Sequence, residues 1–82
     1  MARILYFAGL VDQLQRASET MSLPADVTDV RALLAYLRTR GGKWEQRLVE
    51  NGVQVTVNRR FADPDTRITN DSEIGIVPTV PW

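Results

Sequence analysis

The stretch "TDVRALLAYLRTRGG", residues 28–42, has the strongest helical pattern in the chain. Its large apolar residues recur at i, i+3, i+4 and i+7, the spacing that gives a helix a single apolar stripe; they are Val30, Leu33, Leu34 and Leu37. Thr28 is the predicted N-cap, and the glycine pair 41–42 ends the helix. The pattern therefore predicts one main helix over about residues 28–40, with one side packed against other elements.

The segments before this helix indicate a strand, a short helix and a second strand. "RILYFA", residues 3–8, is an apolar run with aromatic residues, which is typical of a largely buried strand. "LVDQLQR", residues 10–16, has helical spacing over two turns. "ASETMSLP", residues 17–24, predicts a shorter strand that pairs antiparallel with the first.

The segments after the helix predict two further strands. "KWEQRLVE", residues 43–50, favours one or two helical turns. "VQVTVN", residues 53–58, alternates strictly, and "EIGIVP", residues 73–78, alternates again. The intervening residues 59–72 are rich in turn-forming residues and predict an irregular loop.

This order predicts an α+β domain with one main helix on a mixed sheet of four or five strands. It favours a ubiquitin-like β-grasp, in which the first and last strands lie side by side at the centre of the sheet. A split βαβ arrangement, as in ferredoxin-like folds, is the alternative. We expect a single domain over residues 1–82, with residues 78–82 as a flexible C-terminal tail.

The composition excludes several kinds of site. Among its 82 residues the chain has no cysteine and no histidine, so a thiol nucleophile, a histidine base and a disulfide are ruled out. We expect no metal site and no cofactor bound by this chain. The formal net charge is zero and no apolar run is long enough to span a membrane, so we predict a cytoplasmic protein that binds neither nucleic acid nor membrane.

The clusters of acidic and basic residues are more typical of turns than of catalytic or binding sites. Asp63 and Asp65 flank a proline, and acids in such a setting are usually turn formers. The run Arg59-Arg60-Phe61 follows a strand at a hairpin-like position. A contact with RNA through these three residues is the alternative to a solvated turn. We find no self-contained active site in the sequence and predict no catalytic side chain.

One face of the first strand is the candidate binding surface. Leu5 and Phe7 share a face with Arg3, and the arginine marks that face as the outer one. If the first and last strands are neighbours, Val77 joins them in an exposed apolar patch. Such a patch on a small domain indicates a protein partner. Ordinary partial burial under a loop is the alternative interpretation.

Both ends of the chain resemble the small subunit of molybdopterin synthase, a member of the MoaD/ThiS family of ubiquitin-like sulfur carriers. The resemblance lies in "RILYFAGLVDQL", residues 3–14, in the helix at "TDVRALLAYL", and in "VNRRFADPDTRITNDSEIGIVPTV", residues 57–80. It implies a β-grasp fold, the synthase large subunit as partner, and an adenylating enzyme that uses ATP on the C-terminal carboxylate. The product of that activation is a thiocarboxylate that donates sulfur to the pterin precursor.

The family tail ends in Gly-Gly, whereas this sequence ends in Pro81-Trp82. Trp82 therefore carries the terminal carboxylate, and no acceptor glycine is present. Two hypotheses follow: a sulfur carrier, or a non-catalytic ubiquitin-like module that binds a partner through an apolar tail. In both, the predicted partner-binding residues are Leu5, Phe7, Val77, Pro78, Thr79, Val80, Pro81 and Trp82.

Overall fold

The computed structural model describes residues 1–79. The elements follow one another along this part of the chain in the order β1 (Ala2–Tyr6), α1 (Gly9–Leu14), β2 (Ser18–Met21), α2 (Val30–Arg38), α3 (Gly42–Arg47), β3 (Val53–Val57), β4 (Arg60–Ala62) and β5 (Glu73–Pro78). The main helix, the two strands before it, and β3 and β5 after it were expected from the sequence.

The strands form one mixed sheet in the order β2-β1-β5-β3-β4. β1 and β5 pair in parallel at its centre, with Ile4 opposite Ile74, while the other neighbouring strands pair antiparallel. The first and last strands thus lie side by side in the middle of the sheet. The prediction of an α+β, ubiquitin-like β-grasp fold is confirmed.

β4 is the element that the sequence did not predict, because residues 59–72 were interpreted as a loop. Asn58 and Arg59 form a two-residue turn with φ of 52° and 71°, and the chain then folds back on β3. Positive φ at both central residues is the geometry of the tight turns that match the twist of paired strands. The returning strand has only three residues, which is too short for an alternating pattern to be recognised.

The N-cap of helix α2 lies one residue later than predicted. Asp29, not Thr28, is the N-cap, and its Oδ1 accepts a hydrogen bond from the Ala32 N–H at 2.8 Å. The Thr28 carbonyl instead accepts from the Ile68 N–H at 3.0 Å, which ties the start of the helix to the late loop. The helix ends at Arg38, and Gly41 serves as the N-cap of α3.

The helices cover one face of the sheet. Strand alternation places Ile4, Tyr6, Ile74 and Ile76 on this side, where the α2 stripe packs over them. Leu10 of α1 and Leu48, directly after α3, are fully buried in the same core. The core therefore lies between the helices and one face of the sheet.

A polar cluster at the edge of this core links β2 to the segment after α2. The Glu19 side chain is 8% exposed and accepts hydrogen bonds from both Arg40 terminal nitrogens at 2.8 Å and from the Tyr6 hydroxyl at 2.7 Å. The Arg40 guanidinium also lies 4.3 Å from the centroid of the Trp44 ring. Mainly because Arg40 donates to it, the pKa of the Glu19 carboxyl lies below its usual value. Burial, followed by the bond to Glu19, raises the pKa of Tyr6.

Replacing Glu19 by glutamine should lower the free energy of unfolding at pH 7 by about 1.5–3 kcal/mol, since it removes charge-assisted hydrogen bonds in a covered site. A carboxyl whose pKa is depressed by folding stabilises the protein above its unfolded pKa, and this contribution is lost as the pH falls through the folded pKa. Glu19→Gln should therefore also flatten the loss of stability in acid. Urea denaturation from neutral pH down to about pH 3, spanning the carboxyl range, measures both effects.

Glu45 is an exposed acid in the first turn of α3 and provides the matched control. Glu45→Gln should change stability by less than about 0.5 kcal/mol. Equal losses in the two variants would contradict the role given to the Glu19 cluster.

Candidate functional site

The side of the sheet opposite the helices is the candidate site, and we call it the open face. The pairing register aligns one row of residues across it, because directly paired residues point to the same side. That row consists of Ser18, Leu5, Gly75, Thr56 and Phe61. With strands about 4.8 Å apart, the row runs for roughly 14 Å from β1 to β4.

Phe7 lies over the centre of this row. Its backbone N–H donates to the Ile76 carbonyl at 3.1 Å, which extends the parallel ladder by one residue. A methyl group at Gly75 would lie 3.1 Å from Phe7 Cε2 and 2.5 Å from Thr56 Oγ1. Phe7 therefore occupies space that any larger residue at position 75 would need, and 44% of its surface stays exposed.

The chain leaves β1 through a strained residue. Ala8 has φ 53° and ψ −135°, a backbone region that glycine adopts readily and other residues avoid. The turn is closed by the Leu10 N–H, which donates to the Phe7 carbonyl at 3.1 Å. This conformation sends the chain from the open face into α1 directly after Phe7.

Three of the predicted partner-binding residues come together on the open face. Leu5 and Val77 are half-buried, and Phe7 is exposed beside them. The predicted outer position of Leu5 and Phe7, opposite Ile4 and Tyr6, agrees with the structure. Binding of a partner by this surface stays a prediction.

The predicted tail residues divide into two groups. Pro78 belongs to β5 and pairs with Val53, although the sequence interpretation placed it in the tail. The Thr79 N–H donates to the Gly52 carbonyl at 3.1 Å. Its hydroxyl donates to the Asn51 carbonyl at 3.3 Å, so residue 79 is tied to the turn before β3. Val80, Pro81 and Trp82 lie outside the described residues.

Sequence reasoning missed two members of this surface. Phe61 is 79% exposed and lies on the open face through its pairing with Thr56, but β4 was not predicted. Gly75 pairs with Leu5 on the open face, and no role was predicted for it from the sequence. A glycine inside a strand often marks a close approach of another group, and this signal could have identified the contact with Phe7.

The open face is suited to binding more than to acid–base chemistry. The carboxyl and phenol groups with shifted pKa values, Glu19 and Tyr6, lie on the helix side of the sheet. Within residues 1–79, no group of acidic side chains is arranged to hold a metal ion. In the same range, no helix has the length and hydrophobicity needed to cross a membrane.

Gly75→Ala should destabilise the domain by about 1–3 kcal/mol, because the added methyl overlaps the Thr56 side chain and crowds the Phe7 ring. Thr56→Ala removes the closer of these contacts. The double variant should therefore lose less stability than the sum of the two single losses, as chemical denaturation of all four proteins would show. Strict additivity would mean that the methyl is accommodated elsewhere.

Comparison of this fold with solved structures gives matches over nearly the whole chain. A Pyrococcus furiosus protein described as molybdopterin converting factor subunit 1 is 24% identical with a TM-score of 0.78, covering 96% of this chain and 97% of that one. SAMP1 from Haloferax volcanii is 18% identical with a TM-score of 0.79, covering 99% and 97%. The Haloferax volcanii HVO 2177 protein is 19% identical with a TM-score of 0.79, covering 98% and 83%. These likenesses show a shared fold.

The family of the chain is established by comparison of its sequence with models of protein families. No curated protein matches the chain. The model of the ThiS family matches residues 4–81, which include every strand and helix of the domain except the first two residues of β1. The resemblance to MoaD/ThiS proteins noted from the two ends of the sequence is thereby confirmed, and the chain belongs to the ThiS family.

Proposed function

We propose that the protein is the sulfur-carrier subunit of a molybdopterin synthase, acting in molybdenum cofactor biosynthesis. The observation that supports this role most directly is the open face, where Leu5, Phe7 and Val77 form an apolar surface beside the strand that leads to the C-terminus. Membership of the ThiS family and the fold shared with the Pyrococcus furiosus protein support the same role.

In this proposal the open face binds the large subunit of the synthase. A surface of one or two aromatic residues surrounded by smaller side chains is typical of the centre of a protein interface. β5 runs along this surface, and Thr79 fixes its end against the turn at residues 51–52. The docking surface and the origin of the C-terminal segment are thus parts of one rigid sheet.

The reaction needs no catalytic side chain from this protein. An adenylating partner would use ATP, whose α-phosphorus is attacked by the terminal carboxylate with release of pyrophosphate. A sulfur nucleophile would then displace AMP and leave a thiocarboxylate. ATP therefore belongs to the partner, and this chain binds no cofactor of its own. Its contribution is to be recognised and to present its C-terminus.

Two alternatives use the same surface. The first is a non-catalytic ubiquitin-like module that holds its partner through the apolar end of the chain, with Trp82 in a pocket. The second is a protein modifier, which is favoured by the fold shared with small archaeal modifier protein 1 from Haloferax volcanii. In that case the activated carboxyl would be transferred to an amine of another protein instead of receiving sulfur.

Phe7→Ala should weaken binding to the large subunit at least tenfold, because truncating an aromatic residue at the centre of an interface typically costs more than 1.4 kcal/mol. Calorimetric titration with the large subunit from the same organism measures the affinity. Tyr36→Ala is the matched control, since Tyr36 is similarly exposed, at 39%, but lies on α2 away from the open face. Equal losses from both variants would argue against docking through the open face.

Sulfur transfer itself is tested by mass spectrometry of the intact protein. The chain is incubated with the adenylating enzyme, ATP and a sulfur donor, beside a version with Gly-Gly added to its C-terminus. Exchange of one carboxylate oxygen for sulfur in both proteins would support a carrier. Reaction of the extended version alone would favour the non-catalytic module. Covalent adducts with other proteins, formed without sulfur, would favour the modifier.

A further inference from the structure

Arg59 occupies a backbone position that suits glycine. Its φ is 71° in the two-residue turn between β3 and β4, where glycine is strongly preferred as the second residue. Asn58, the first residue of this turn, has a structural reason to be there. Its side-chain oxygen accepts from the Glu73 N–H at 2.9 Å, and its own N–H donates to the Glu73 carbonyl at 2.7 Å.

No comparable contact accounts for the arginine. The Arg59 side chain is 88% exposed, and its Nε lies 3.6 Å from Glu73 Oε1, beyond hydrogen-bonding distance. Exposed ion pairs of this kind contribute little to stability. The strain at residue 59 is therefore not offset by an interaction within the described part of the domain. Strain retained without local compensation is a common property of binding sites.

Arg59 lies at the margin of the open face. Glu73 is paired with Arg3 across the β1–β5 ladder, and both residues lie on the open face. Arg59 lies at the same end of the sheet, on the other side of Glu73. Arg3 and Arg59 thus lie on either side of Glu73, and these three residues together carry a net charge of +1 at this margin of the open face. The row that contains Leu5, Gly75 and Phe61 lies two residues further along each strand.

We propose that Arg59 is a specificity-determining residue of the open face and binds a carboxylate on the surface of the docking partner. The proposal rests on the function proposed above. It commits to a protein partner whose apolar centre meets Leu5 and Phe7, and whose acidic side chain meets the charged margin. Arginine suits this task because its planar guanidinium can donate two parallel hydrogen bonds to one carboxylate and stays charged when covered.

The test compares stability with affinity, because the proposal predicts opposite effects on the two. Arg59→Gly should raise the Tm of the free protein by about 4 °C, since it relieves the strained turn. It should weaken binding to the large subunit about tenfold through loss of the charged contact. Thermal denaturation and calorimetric titration at low and high salt provide both readouts, and the difference in affinity should shrink at high salt.

Two matched variants separate specific recognition from general attraction. Arg60→Ala removes the same charge one residue away, and the pairing of Arg60 with Val57 places it on the helix side of the sheet. It should leave the affinity unchanged. Arg59→Lys keeps the charge and the strained turn, so it should bind more tightly than Arg59→Gly while gaining no thermal stability.

The remaining outcomes overturn the proposal. If Arg59→Gly binds as tightly as the wild type, or if Arg60→Ala weakens binding equally, Arg59 determines no specificity. If Arg59→Gly does not raise the Tm, the argument from strain is wrong. If the wild-type chain itself fails to bind the large subunit, the proposed function falls and this inference falls with it. If the wild type binds the large subunit and Arg59→Gly binds it equally well, this inference is wrong while the proposed function stands.

Discussion

Within the described part of the chain only one face of the sheet is covered by helices, and the rest of the structure depends on this arrangement. An 82-residue domain buries roughly 60% of the surface of its unfolded chain. The helices of the described region all lie on one side, and the large aliphatic side chains are concentrated there. The other face is exposed to solvent. There the Phe7 ring packs over Gly75, beside the polar side chain of Thr56. The candidate binding surface is thus the face of the sheet that the described helices leave uncovered.

Much of the fold could be predicted because its patterns are long. The α2 stripe spans more than two turns, and β3 and β5 alternate over five or six residues. The shorter patterns did not predict the structure correctly. β4 has three residues, and its existence depends on a turn whose second residue is an arginine where glycine would have been the recognisable signal. Thr28 and Asp29 are both good capping residues, so only the geometry of the helix start decides between them.

The candidate site was predictable to the extent that it follows from alternation. Arg3 marked the outer face of β1, which correctly placed Leu5 and Phe7. The contact between Phe7 and Gly75 was not predictable, because it depends on the parallel register of β1 and β5, which no local pattern specifies. The Glu19 cluster was not predictable either, because it also depends on contacts between segments that are distant in the sequence. It joins Tyr6, Arg40 and Trp44, which come close only when β2 and the end of α2 meet.

The central pairing of β1 with β5 also determines when this surface can first exist. Its partners, such as Arg3 and Glu73, are separated by 70 positions in the chain. At about 5–20 residues per second, a ribosome therefore needs several seconds to add the second strand after the first. Until then β1 can pair only with β2, and the part of the open face formed by β5, β3 and β4 cannot assemble beside it. A protein that recognises this face can therefore bind only polypeptides whose synthesis has passed β5, so recognition by shape also selects for chains in which every strand of the sheet has been made.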